Sequence, residues 1–136
     1  MKKKAPGTIG LLCLLCIGII AIIAYREYYR PHRSVEAETA IVVTAKQLSA
    51  DYEKDEAASN KKYLGKALQV SGTVSDMSVN QQKKTVILLT ASDMSGVQCS
   101  FQEGVNAIKK GDTLVIKGFC TGFLTDVIID RCIIVR

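Results

Sequence analysis

The residues of this 136-residue chain with chemistry beyond packing are few: one histidine, five cysteines, and an adjacent lysine pair, Lys83-Lys84. His32 lies in Pro31-His32-Arg33 without a candidate base, nucleophile or metal partner, so general acid-base work has no second member. Cys13-Leu14-Leu15-Cys16 has C-x-x-C spacing, which lowers a thiol pKa in an electropositive setting. Here it sits in apolar sequence, where cysteine serves as a small hydrophobe. Cys99, Cys120 and Cys132 are too few to make a zinc site, and no metal or cofactor is expected. In an oxidising compartment these three allow one bridge with one thiol left over. Cys120 with Cys132 leads because the two are near in sequence, against the plain alternative of three buried thiols on strand faces. No nucleophile-base set and no phosphate-cradling glycine loop is present, so the chain is read as not an enzyme.

The elements that would position these residues begin with an unbroken apolar run, Ile9 to Ala24, behind Met1-Lys2-Lys3-Lys4. With Gly7, Thr8 and Tyr25 it spans about 28 Å as a helix, close to the hydrocarbon thickness of a bilayer. A cleaved signal peptide is the competing reading, but Ile22 occupies the position where a cleavage site needs a small residue. Leu12 and Leu15, which precede Cys13 and Cys16, fit a lipidation site poorly. Tyr25, Tyr28 and Tyr29 with Arg26 and Arg30 suit an interfacial belt. An uncleaved membrane anchor is therefore expected over residues 1–25, and a Pro-containing juxtamembrane stalk over 26–43. Three lysines before the span and three arginines after it leave the positive-inside count tied. The short basic start favours a cytoplasmic N-terminus, a single pass through the inner membrane, and a domain on the outer, periplasmic side.

Charge partition bears on nucleic acid. The formal net charge is +5, yet from Ser34 onward 12 basic residues face 12 acidic ones. The excess therefore flanks the apolar run, where it suits anionic headgroups, and the rest of the chain lacks the basic excess of a polyanion binder.

The remaining residues, 44–136, read as a helix followed by a small barrel. Thr44 can cap a helix over about Ala45 to Lys62, with Gln47 returning the bond and Val43 stapling onto Leu48. Ala45, Leu48 and Tyr52 form its apolar face, and Gly65 is a natural terminator. From Lys66 the period becomes two: Leu68, Val70, Gly72 and Val74 alternate with polar residues, and Gly72 suggests a bend or bulge. Thr85 to Thr90, Val97 to Phe101, Thr113 to Cys120 and Val127 to Val135 supply four more strands, with a short helical connection over residues 103–110. In the last strand Val127 and Ile129 are out of phase with Cys132 and Ile134. A bulge at Asp130-Arg131 restores one buried face.

Five short strands with a small helix between the third and fourth are the element order of an OB-fold barrel. The chain also resembles the bacterial tRNA-anticodon-domain-like family, OB-fold proteins of the envelope that include lipoproteins. The resemblance covers roughly Thr44 to Val135. It is carried by Tyr52-Glu53, Glu56-Ala57, Lys62-Tyr63-Leu64-Gly65-Lys66, Leu68-x-Val70-x-Gly72-x-Val74, Val97-x-Cys99-x-Phe101, Gly111-Asp112, Lys117-Gly118-x-Cys120-x-Gly122, Asp126-Val127 and Cys132. It implies an OB-fold tethered at the envelope with no established activity. The fold class expected is mainly β: a five-stranded OB barrel preceded by an α-helix, with an N-terminal transmembrane helix. The function expected is a noncatalytic, envelope-anchored interaction module with a protein partner; the alternative is oligonucleotide, oligosaccharide or small-ligand binding by the barrel. The candidate ligand-loop residues are Lys83 and Lys84 in the first hairpin and Phe123 in the last, the loops that flank an OB cleft, against the plain readings of solvated turn lysines and of Phe123 as a cap on the barrel end. Phe101 is the single aromatic on the second and third strands, and it shares the inward phase of Cys99, so nucleic acid is possible but not favoured.

Overall fold

The computed structural model describes residues 6–29, 34–105 and 107–135. Lys2, Lys3, Lys4, Arg30, Pro31, His32, Arg33 and Arg136, on which parts of the sequence reading rest, lie outside the described residues. The chain divides into two units, Met1–His32 and Arg33–Arg136. The first holds helix α1, Pro6–Tyr28. Its segment Gly10–Tyr28 has a mean hydropathy of 2.0 and is long and apolar enough to cross a membrane. At its C-terminal end the Tyr25 and Tyr29 rings lie 4.3 Å apart, with Tyr28 and Tyr29 edge to face at 5.4 Å.

The second unit runs β1 (Ile41–Thr44), α2 (Ala45–Lys54), α3 (Glu56–Tyr63), β2 (Ala67–Val79), β3 (Thr85–Thr90), β4 (Gly96–Phe101), β5 (Thr113–Phe123) and β6 (Val127–Ile134). Strands β2 to β6 close a barrel. The order is β2-β3-β4-β6-β5, and β5 returns to β2 through the antiparallel register Ala67↔Phe119 to Thr73↔Thr113. One pair, β4 with β6, is parallel. The alternation read from the sequence lines the interior: Leu68, Val70, Val74, Ile87, Leu89, Val97, Cys99, Ile116, Val127 and Ile129 are all buried. The five-stranded barrel of the sequence reading is therefore present, with one extra strand.

That extra strand, β1, corrects the expected stalk. Ile41–Thr44 pairs in parallel with β2 at Leu68 to Ser71, on the edge that β3 has left, and Val43 is buried. Residues expected to be stalk also pack on the barrel exterior, where Val35 is buried with Ala67 and Phe119. Lys117 Nζ donates to the Glu36 carbonyl at 3.1 Å. An apolar valine at each of these two positions is enough to seat the segment, which composition alone reads as polar.

The single expected helix is two. Asp55 is extended (φ −157°, ψ 97°); its N–H donates to Asp51 O and closes α2, while its carboxylate accepts from Ala58 N at 2.9 Å and opens α3. Thr44 caps α2 as expected, accepting from Gln47 N at 3.1 Å, but the Gln47 side chain turns forward to Asp51 at 2.6 Å and does not close the box. Gly65 follows α3 at φ +71°, with its N–H on Cys120 O at 2.8 Å.

Three further points concern β-structure. The β2 irregularity falls between Val74 and Asp76, not at Gly72. Gly72 is small because α2 begins against it: a Cβ there would stand 3.0 Å from Ala45 Cβ. The Asp130-Arg131 bulge is present, with Arg131 at φ +53°, Cys99 facing Ile129 and Phe101 facing Cys132. Arg131 is exposed over the Phe119 ring at 5.7 Å, while Asp130 is half-buried. Finally, the expected short helix over 103–110 is absent among the described residues. Gly104 and Ala107, the latter at φ +69°, oppose helical continuation, and Val105 and Ile108 pack against the core from an irregular loop.

Candidate functional site

The outward side of the β2-β3-β4 wall is the surface on which an OB barrel presents ligands. Two cross-strand rows build it. Asp76 stands opposite Leu88, which stands opposite Gln98; Ser78 stands opposite Val86, which stands opposite Ser100. Parallel pairing with β6 adds Ile128 beside Gln98. Leu88, Val86, Gln98, Ser100 and Ile128 are half-buried, and Asp76 and Ser78 are exposed. The rows carry no aromatic ring. Phe101 points inward and is buried, as its phase indicates.

Lys83 and Lys84 lie in the turn between β2 and β3. Asn80 organises that turn: its Oδ1 accepts from Gln82 N and Lys84 N, each at 3.0 Å, and its N–H donates to Lys84 O. Lys83 adopts φ +60° and is exposed; Lys84 is half-buried. Phe123 stands elsewhere. It pairs with Val127, whose parallel partner Val97 is the second residue of β4, beside the end of β3. The structure therefore does not bring the lysines and Phe123 together: they mark opposite ends of the β3-β4 ladder, about 17 Å apart along a five-step strand. Phe123 stacks on Tyr52, with centroids 5.3 Å apart and planes at 19°, which assigns its ring to sealing the barrel.

Polar residues that sequence reasoning passed over cluster at the Phe123 end. Glu53 of α2 accepts from Ser92 Oγ at 3.0 Å, from Ser95 Oγ, and from Ser49 Oγ at 3.4 Å. The bonds from Ser95 and Ser92 hold its carboxyl below the ordinary value. Gly96 N donates to Asp126 Oδ1 at 2.7 Å, tying the β3-β4 loop to the β5-β6 hairpin. Asp51 accepts from Tyr63 Oη at 2.5 Å and from Lys62 Nζ at 3.2 Å, and the Tyr63 bond leads in lowering its pKa. Ser92 and Ser95, two of the three partners of Glu53, are 39 and 42 residues away, so no local pattern exposes them.

The domain thiols are free, and their neighbours are not those expected. Cys120 Sγ lies 3.3 Å from Tyr52 Oη, and burial followed by that contact pushes the Tyr52 pKa up. Cys132 is carried by the bulge toward β4, where it meets Cys99 and donates to Ile129 O at 3.4 Å; burial pushes its thiol well up, away from nucleophilic character. Cys120 and Cys132 thus stand in two separate environments, and all three domain thiols are buried, the arrangement of the plain alternative. Among the described residues no three His, Cys, Asp or Glu side chains converge as metal ligands would.

Comparison with known proteins fits this architecture. The tRNA_anti-like family signature matches residues 1–134. No curated protein matches by sequence. A crystal structure at 2.46 Å of a protein described as a putative nucleic acid-binding lipoprotein, from Klebsiella pneumoniae subsp. pneumoniae MGH 78578, superposes with a TM-score of 0.61. The match covers 79% of this chain and 100% of that one at 16% identity, a level at which the likeness speaks for the fold alone. With the signature running through helix, barrel and bulge alike, the chain belongs to the tRNA_anti-like family.

Proposed function

We propose that the chain is a noncatalytic binding module of the bacterial envelope. In this reading α1 anchors it as a single pass in the cytoplasmic membrane, the residues after α1 serve as a short tether, and the barrel lies on the periplasmic side. Its β2-β3-β4 face docks a protein partner. The observation that carries this reading is the composition of that face: Leu88, Val86 and Ile128 interleave with Gln98 and Ser100, and Asp76 stands at one end of the central row. Single-stranded nucleic acid binds through stacking platforms and a cationic groove; this face has neither, and the Asp76 carboxylate repels phosphate. A mixed apolar and hydrogen-bonding surface suits a protein.

An envelope pull-down with the full chain tests it. Recovery of one stoichiometric protein, lost when Leu88 is changed to Arg, is expected; equal recovery by the Leu88→Arg variant contradicts the assignment of the face. Protease treatment of intact spheroplasts tests the address, with digestion of the barrel expected before lysis.

A second reading, oligonucleotide binding, draws on Lys83-Lys84 and on the description of the Klebsiella protein. It predicts gel-shift retention of single strands that falls with salt and disappears in Lys83→Ala/Lys84→Ala.

A further inference from the structure

We infer that the tip of the β2-β3 hairpin is a lipid-docking element that rests on anionic headgroups. The hairpin carries more apolar surface than the barrel uses. Met77 and Val79 continue the inward-facing phase of β2, opposite Ile87 and Thr85, yet they are 42% and 66% exposed. Asp76 and Ser78 belong to the other face of the same strand. At the tip stand Lys83 and Lys84, and neither ammonium meets a carboxylate among the described residues. The Asn80-centred turn holds their backbone in one conformation.

Two aliphatic side chains beside two unpaired lysines match the layering of a bilayer surface, where apolar groups enter the acyl boundary and cations remain with the phosphates. The same pair lacks the ring that a nucleobase would stack upon. The inference rests on the reading of α1 as an anchor, which ties the barrel covalently to a membrane, where weak contacts become populated. Each lysine is worth roughly fivefold in partition onto an anionic surface and nothing on a neutral one.

The chain contains no tryptophan, so Val79→Trp places a single emitter at the tip. The full-length variant is incorporated into nanodiscs of phosphatidylcholine alone, or of equal parts phosphatidylcholine and phosphatidylglycerol. Incorporation, read by size exclusion, reports on α1 separately from the tip. Blue-shifted emission, quenched by brominated acyl chains, is expected in the anionic discs. It should be absent in the neutral ones, reversed by salt, and lost in Lys83→Ala/Lys84→Ala. Met77→Trp repeats the measurement should Val79→Trp melt early. Solvent-exposed emission in both discs, an equal shift in both, or a shift produced only by added single-stranded oligonucleotide overturns the inference.

Discussion

The two ends of the β3-β4 ladder are built to different standards. At the end where β3 passes into β4, α2 lies across the barrel, Tyr52 stacks on Phe123, three serine hydroxyls converge on Glu53, and Asp126 holds Gly96. At the other, the β2-β3 hairpin runs past the core with Met77 and Val79 exposed and, among the described residues, its turn tied only to itself. A small barrel gains little from its own interior, and here one end is closed by a helix while the other projects. The contrast separates the residues that hold the fold from those available to a partner.

Substitutions should respect that division. The largest effect is expected at Tyr52→Ala, which removes a buried ring from between Tyr63, Phe123 and Cys120 and should cost about 3–5 kcal/mol in chemical unfolding of the full chain. Leu48→Ala, from the same helix face, should cost about 2–4 kcal/mol. Full stability in either variant would mean that α2 is not part of the closure. Gly118→Ala comes next, at about 1–3 kcal/mol, because the new Cβ would stand 2.6 Å from Ile129 Cγ2 and 3.0 Å from the Asp130 carbonyl at the bulge.

Glu53→Gln gives a smaller loss with a distinctive pH dependence. The folded carboxyl titrates below its ordinary value of 4.5, so its contribution is present above that pH and fades as pH falls through the depressed folded value. Thermal melts of wild type and variant should therefore differ at neutral pH and converge in acid. A constant difference would remove the carboxylate-serine account. The smallest effect belongs to the open end: Lys83→Ala/Lys84→Ala should leave stability within about 0.5 kcal/mol of wild type.

Much of the closed barrel was legible because burial enforces a period of two. Leu68, Val70 and Val74 announced β2, and the phase slip between Ile129 and Cys132 announced the bulge. What escaped was whatever depends on distant partners. Strand β1 is four residues whose role follows from the β2 edge that β3 vacates, and Asp55 breaks the helix through two bonds with no apolar signature. Of the candidate site, the lysines lie in the β2-β3 turn, Lys83 exposed and Lys84 half-buried. Phe123, read as a ligand-loop residue or as a cap on the barrel end, stacks on Tyr52, which lies 71 positions earlier in the chain, so no local pattern shows the contact. Asp76 went unremarked because its place on the outward face depends on the irregularity beside it.

Site-specific photocrosslinking in living cells tests the central claim most directly. A photoreactive residue replacing Gln98, at the middle of the outward face, is compared with one replacing Lys61 on α3 in the full chain. A discrete protein adduct from position 98 and none from position 61 is the expected result. Adducts to nucleic acid alone, or the same adduct from both positions, would contradict the assignment of that face to a protein partner.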